Sequence, residues 1–255
     1  MTPDKSIERV AVVTGAAQGL GYDIAAALAS LGHRVALLDR ADDVARSAAT
    51  LQARGTTAAA HCLDVTDEAA VQRTIAAIEE AWGDVGILVN GAGITGRKGA
   101  HKTAVVDMDP SDWRRVITTN VASAFLLCRA CIPGMQRARW GRIVNIASQA
   151  ARARTERSNA HYAASKSAVL GFSRGLAHEV ASSGITVNCV APGRIATPMT
   201  VQTGADVDAA YSAKSAVGRV GVPADVTAAV MYLTSEGSAF MTGATVDVNG
   251  GYSMN

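Results

Sequence analysis

Tyr162 and Lys166 stand four residues apart in Tyr162-Ala163-Ala164-Ser165-Lys166, a spacing that sets both side chains on one face of a helix. A phenol ionises near about 10, too high for a base at neutral pH, but a neighbouring ammonium favours the phenolate. Such a pair can move a proton to or from an oxygen atom, as a general acid/base does. Ser148, closing Asn145-Ile146-Ala147-Ser148, offers a hydroxyl to hold that oxygen beside the tyrosine.

A second set of residues is suited to phosphate. Thr14-Gly15-Ala16-Ala17-Gln18-Gly19-Leu20-Gly21 follows an apolar run and opens a helical pattern. Gly15 permits a tight turn, Gly19 lets a pyrophosphate approach the backbone, and Gly21 lets helix and strand pack closely. With Gln18 and Leu20 they form a dinucleotide loop, in which the helix N-terminus turns free N–H groups and a positive dipole end to the phosphates. Asp39, 18 residues beyond Gly21, is placed to accept both hydroxyls of an adenosine ribose and to repel a 2′-phosphate. The expected cofactor is therefore NAD rather than NADP, although Arg40 stands next to Asp39 and could offset the repulsion. Asp64-Val65 and Asn90-Gly91-Ala92 put small or polar groups on the same edge, where adenine and its ribose would lie. An oxidised nicotinamide near Tyr162 would bring its pKa further toward the working range.

These residues need a frame. Short β-branched runs at 10–14, 34–38, 58–63, 87–90, 143–146, 186–190 and 245–248 predict strands. Helical spacing is read at 20–31, 42–53, 68–82, near 111–137, at 160–181 and at 224–233. Several strands are continuous apolar runs, as strands buried on both faces are. Strand–helix alternation through the chain predicts one α/β domain, a doubly wound parallel Rossmann-type sheet of about seven strands with helices on both faces. The irregular stretch 193–222, with a weak helical pattern near 206–215, is expected to be a mobile substrate lid over the crevice.

Composition narrows the partners. With 24 basic and 22 acidic residues the net charge is +2, so no single-signed field exists to hold nucleic acid or an anionic membrane. No run approaches the roughly 20 apolar residues of a span, and residues 1–8 do not resemble a signal peptide. Four cysteines do not suggest a disulfide scaffold, so a cytoplasmic location is expected. Cys128 and Cys131 fall mid-helix without a second pair and read as core or interface residues. His161 reads as satisfied or solvated, and no cluster suggests a metal.

In order along the chain, the glycine loop, the Asn-Gly-Ala-Gly turn, Ser148, Tyr162 with Lys166, Pro192-Gly193 and the closing 242–251 stretch resemble the short-chain dehydrogenase/reductase family. The resemblance implies a homotetramer with Tyr162 as general acid/base, Ser148 orienting the carbonyl or alcohol, and Lys166 binding the nicotinamide ribose. It also implies that Asn120 holds a water in a proton relay through Lys166. Pro192, Gly193, Ile195 and Thr197 would border the nicotinamide end, with Thr197 on its carboxamide.

The reading that follows is NAD-dependent interconversion of a secondary alcohol and a ketone. The alternative is a 3-oxoacyl-(acyl-carrier-protein) reductase using NADPH, since the chain is also similar to those members in Gly141-Arg142-Ile143 and Gly184-Ile185-Thr186-Val187-Asn188. Arg139 matches one of their carrier-docking positions, whereas His178 stands at the other. A non-catalytic dinucleotide-binding module is the remaining alternative, and such a module would be expected to lose Ser148, Tyr162 or Lys166. The stretch between Ser148 and Tyr162 is one residue longer than is usual in the family and carries Arg152, Arg154, Glu156 and Arg157. With Arg97, Lys98, His101 and Lys102 it predicts a wall for an anionic substrate, through Arg152, Arg154 or Arg157.

Overall fold

The structure, a computed structural model, describes residues 8–96, 102–153, 158–201 and 205–254. Seven strands form one parallel sheet in the order β3-β2-β1-β4-β5-β6-β7. They are β1 (Val10–Thr14), β2 (Arg34–Asp39), β3 (Ala58–Cys62), β4 (Val85–Asn90), β5 (Gly141–Ile146), β6 (Ile185–Pro192) and β7 (Thr245–Val248). Every residue of β1, β4, β5 and β6 is buried, as the uninterrupted apolar runs require. The pleat divides them between two cores. Ala11 and Val13 join one core cluster with Ile24, Leu28 and Val230, while Val10 and Val12 join another with Ile75, Leu127 and Val180. Fully burying a leucine or isoleucine contributes about 1.5–3 kcal/mol, so two filled faces hold the sheet firmly.

Helices α1 (Gly19–Ser30), α2 (Asp43–Gln52) and α3 (Glu68–Trp82) alternate with the first strands. Next come α4 (Pro110–Ile117) and α5 (Ser123–Ala138), joined through a π-helical turn at Thr118–Ala122, and then α6 (Ala160–Val180). The single helix expected near 111–137 is thus three segments running on from one another. Whole, it is also the one long apolar helical stretch among the described residues. One 18-residue window within Pro110–Ala138 reaches a mean hydropathy of 1.5, enough by length and composition alone to cross a membrane. In the fold, Leu127, Cys128, Cys131 and Met135 of that stretch pack in the second core.

The described residues of the 193–222 excursion carry more helix than its sequence pattern suggests. It contains α7 (Pro198–Val201) and α8 (Ala205–Lys214) before α9 (Pro223–Thr234). Its two ends are clipped together where Ile195 pairs with Gly221, Gly221 N donating to Arg194 O at 3.0 Å and Ala196 N to Gly221 O at 2.9 Å. Strand order reverses between β1 and β4, which opens a crevice at their C-terminal ends. Thr14, Asn90, Ile146 and Pro192 end their strands along that edge.

Candidate functional site

The glycine loop sits in the crevice and is shaped by contacts that exclude side chains. Gly15 has φ +69, and a Cβ there would lie 3.0 Å from the Ala92 backbone. A Cβ on Gly21 would collide with the Gly15 carbonyl oxygen, so this glycine allows the helix to start against the turn. Thr14 Oγ1 accepts from Gly91 N and Ala92 N, each at 3.1 Å, and ties the β1 end to the Asn-Gly-Ala-Gly turn. Gly19 faces the start of the excursion, its Cβ position 3.5 Å from Pro198 and 3.8 Å from Thr197. Gln18 is exposed and makes no side-chain cap on α1, and no acidic residue stands in the first turn of that helix. Helices α2, α3, α4 and α9 all carry an acid there. The first N–H groups of α1 are left for an anion. An open cradle facing an uncapped helix end fits a dinucleotide pyrophosphate.

Asp39 ends β2 half-buried, and its two oxygens accept from Ala17 N and Ala41 N at 3.0 Å each. An ionised carboxylate has about four acceptor positions, so ribose hydroxyls still have lone pairs to meet. The carboxylate thus also braces the loop, with Ser47 Oγ donating to Ala17 O at 2.7 Å. Arg40 is exposed, and its charge helps hold the Asp64 carboxyl below its usual range, after the two hydrogen bonds from Thr66. Val65 is buried beside it, and Leu20 packs on the core.

At the other end of the crevice the fold gathers Ser148, Tyr162, Lys166 and Asn120. Ser148, on the loop leaving β5, is near enough to the Tyr162 phenol to lower its pKa, and its oxygen accepts from Ala150 N at 3.1 Å. Lys166, 5% exposed, donates from Nζ to Ile146 O at 2.7 Å. Burial pushes its pKa down to about 8. The ammonium lies 6.0 Å from the centre of the Tyr162 ring. In the protein alone the phenol is pushed up, not down, because burial outweighs the lowering by Ser148. The expected lowering by Lys166 is therefore not seen in the protein alone.

Asn120 lies in the π-helical turn. Its Oδ1 accepts from Ile94 N at 2.8 Å, and its Nδ2 donates to Ile94 O at 2.9 Å and Ser165 Oγ at 3.0 Å. Both amide hydrogens are spent on protein, so the side chain could meet a water only as an acceptor, through Oδ1. Even so, Asn120 Oδ1 and Lys166 Nζ converge at Gly93, 3.2 and 3.3 Å from its Cβ position. Asn90 Nδ2 donates to Asn145 Oδ1 at 2.8 Å, and Asn145 to Ser173 Oγ at 2.8 Å, crossing the sheet beneath these groups. Pro192 and Ile195 are buried, and Gly193 N donates to Val248 O at 2.9 Å. Thr197 N donates to Thr200 Oγ1 at 2.9 Å.

Of the three arginines expected to face an anionic substrate, the described residues include Arg152 alone. Arg152 Nε lies 3.2 Å from Asp247 Oδ2 of β7, with both side chains about a quarter exposed, 26% and 23%. The pair is ionic contact rather than a hydrogen bond, since Arg152 Nε and Asp247 Oδ1 find no hydrogen-bond partner. Its charge is already answered, by a carboxylate 95 residues away in sequence. Arg154, Glu156 and Arg157, with Arg97, Lys98 and His101, lie outside the described residues. His161 departs from its expectation too. It is 1% exposed and packs against Gly96, yet its Nδ1 has no partner. Cys128 and Cys131 are buried in α5, and burial pushes the Cys128 thiol up to about 12, far from a reactive thiolate. Gln149 and Tyr211, which the sequence reading passed over, meet beside Ser148. Gln149's place directly after Ser148 was the available signal.

Comparison with known proteins agrees with this frame. The family model described as enoyl-(acyl carrier protein) reductase matches residues 15–253. The 3-oxoacyl-(acyl-carrier-protein) reductase FabG of Pseudomonas aeruginosa is 40% identical over 248 residues, 97% of this chain and 98% of that protein. A 3-oxoacyl-(acyl-carrier protein) reductase of Brucella melitensis, solved with bound NAD, superposes with TM-score 0.90 at 38% identity, covering 100% of this chain and 97% of that one. A putative gluconate dehydrogenase of Agrobacterium tumefaciens superposes with TM-score 0.91 at 30% identity, over 98% and 99% of the two chains. Likeness of this extent, on one sheet topology and from end to end, makes the chain a member of the short-chain dehydrogenase/reductase family of NAD(P)-linked oxidoreductases.

Proposed function

We propose that the chain reduces a 3-oxoacyl thioester to the 3-hydroxyacyl thioester, with the acyl group presented on a carrier protein. The observation that carries this reading is the 40% identity to a reductase so named over 97% of the chain, combined with the Ser148, Tyr162 and Lys166 geometry above. It replaces simple alcohol–ketone interconversion as the leading reading. Gly15, Gly19, Gly21 and the α1 N-terminus would hold the pyrophosphate, Asp39 the adenosine ribose, and Lys166 the nicotinamide ribose. When bound, the dinucleotide supplies the hydride. Ser148 orients the ketone oxygen, and Tyr162 delivers a proton to that oxygen as it gains charge, a contribution of about 10²–10⁴-fold. The Lys166 ammonium stabilises the phenolate left behind. Exposed Arg139, which forms no ion pair among the described residues, supports docking of an acidic carrier.

A second reading is favoured by Asp39. A carboxylate at the end of β2 suits NAD, and with NAD the same site would oxidise a secondary alcohol, including an anionic or polyol one. One assay separates the two: NADPH and NADH oxidation with a 3-oxobutanoyl thioester, against NAD reduction over a panel of secondary alcohols. Turnover of the thioester supports the first reading. Turnover confined to alcohols would replace it with the second.

A further inference from the structure

One hydroxyl joins three separate parts of the molecule beside Ser148. The Tyr211 phenol oxygen, on α8, lies 3.1 Å from Gln149 Oε1 and 3.0 Å from the main-chain oxygen of Asn249. Burial pushes its pKa up, and the nearby Arg194 backbone offsets part of that rise. Gln149 directly follows Ser148 and is 4% exposed. The Tyr211 ring stacks on Tyr252, with centroids 4.5 Å apart and planes 12° from parallel. The C-terminal turn around Asn249 holds the excursion elsewhere too. Ser215 Oγ and Val217 N donate to Gly250 O at 2.9 and 3.0 Å. The turn is itself closed, Asn249 Nδ2 donating to Ser253 O and Gly251 N to Asn249 Oδ1, each at 2.9 Å. Room for the phenol is built in, because a Cβ on Gly193 would collide with the Tyr211 hydroxyl.

Among its described side chains, α8 turns few apolar groups to the body. Of residues 206–214, Val207 is the one buried apolar side chain, and Asp206, Ala209, Ala210, Ala213 and Lys214 are exposed. The Arg194–Asp208 ion pair ties it to the start of the excursion, not to the catalytic loop. Helices of this length are not stable alone, so docking depends on the few contacts that reach the body. The single phenolic proton is shared between acceptors on two elements, so losing it loosens both together.

We propose that Tyr211 is a positioning residue, whose hydroxyl latches α8 over the loop bearing Ser148, with the C-terminal turn as the clasp. Closing the lid and fixing Ser148 are then one event. The catalytic part rests on the oxidoreductase reading of Ser148 and Tyr162. The latch itself does not.

Tyr211→Phe keeps the ring on Tyr252 and removes only the hydroxyl. Hydrogen exchange of the 205–215 amides should quicken about tenfold, the equivalent of one lost hydrogen bond, while Tm and NADH affinity stay at parental values. On whichever carbonyl substrate the parent reduces, kcat/KM should fall about tenfold. Gln149→Ala should lower kcat/KM alone but add nothing to Tyr211→Phe. Unchanged exchange in 205–215 overturns the latch, whether or not a substrate is known. Faster exchange with unchanged kcat/KM overturns the positioning role, and additive losses in the double variant overturn the coupling. If Tyr211→Phe lowers Tm, Tyr252→Ala opens the clasp from the other side and the same exchange decides. Failure of the parent on the thioester counts against the substrate reading alone.

Discussion

Replacing Lys166 with methionine isolates the energetic consequence of burying an ammonium in the catalytic site. The folded protein holds this group at about 8, against 10.5 for a free lysine, because burial penalises its charge. Each pH unit of displacement is worth about 1.4 kcal/mol, so below pH 8 the charged lysine destabilises the fold by about 3 kcal/mol. The sign follows from protonation. Below about pH 8 the folded lysine is charged and the penalty is complete. Between about 8 and 10.5 the folded group is neutral while the unfolded one still binds a proton, so stability recovers as pH rises. Urea unfolding of parent and Lys166→Met at pH 7 and pH 10 reads this as a difference of differences, which cancels every other titrating group. The parent should gain about 2–3 kcal/mol relative to the variant over that interval. A constant difference would show that Lys166 titrates as an exposed lysine and would refute its placement against Ile146 O.

Asp39→Ala should weaken NAD and relieve repulsion of NADP, shifting selectivity tenfold or more, because hydrogen bonds to charged groups are worth about 1.5–3 kcal/mol. Dissociation constants for both dinucleotides check it, and a parent already preferring NADPH would contradict it. Arg152→Ala should lower kcat/KM equally for an anionic alcohol and its neutral isostere, since Arg152 is engaged with Asp247. A loss confined to the anionic substrate would restore the arginine wall. The chain should sediment as a homotetramer at micromolar concentration. Phe125, 46% exposed and edge-on to Phe172, and Trp113, 42% exposed, give α4–α6 an apolar face needing a neighbour. A dilute monomer would contradict it.

The elements most legible in the sequence were those whose pattern and boundaries agree. Val10–Thr14, Glu68–Trp82 and Thr245–Val248 were read with their observed ends. β4 was read two residues short, because Gly86 disfavours a strand. In the fold that glycine gives room to the Trp140 ring, 3.0 Å from its Cβ position. The π-helical turn left no periodic signal, since it is held by Asn120 bonding Ile94, 26 residues away. The site was legible where chemistry sits in short motifs, as in the glycine loop and Tyr162 with Lys166. It was illegible where partners come from distant segments. Nothing local to Arg152 announces Asp247, and nothing near Tyr211 announces Gln149 or Tyr252. Tyr162 shows a further limit. Type and spacing named the pair, but the direction of its pKa depends on burial that only the fold supplies.

Turnover by Tyr162→Phe tests the central claim most directly. The substitution leaves the ring in place and removes the one hydroxyl proposed to deliver a proton. On the substrate that the parent reduces, kcat should fall by about 10²–10⁴-fold, with NAD(P)H affinity kept. Near-parental turnover with the phenol gone would contradict the assignment of Tyr162 as the acid/base, and with it the account of this site.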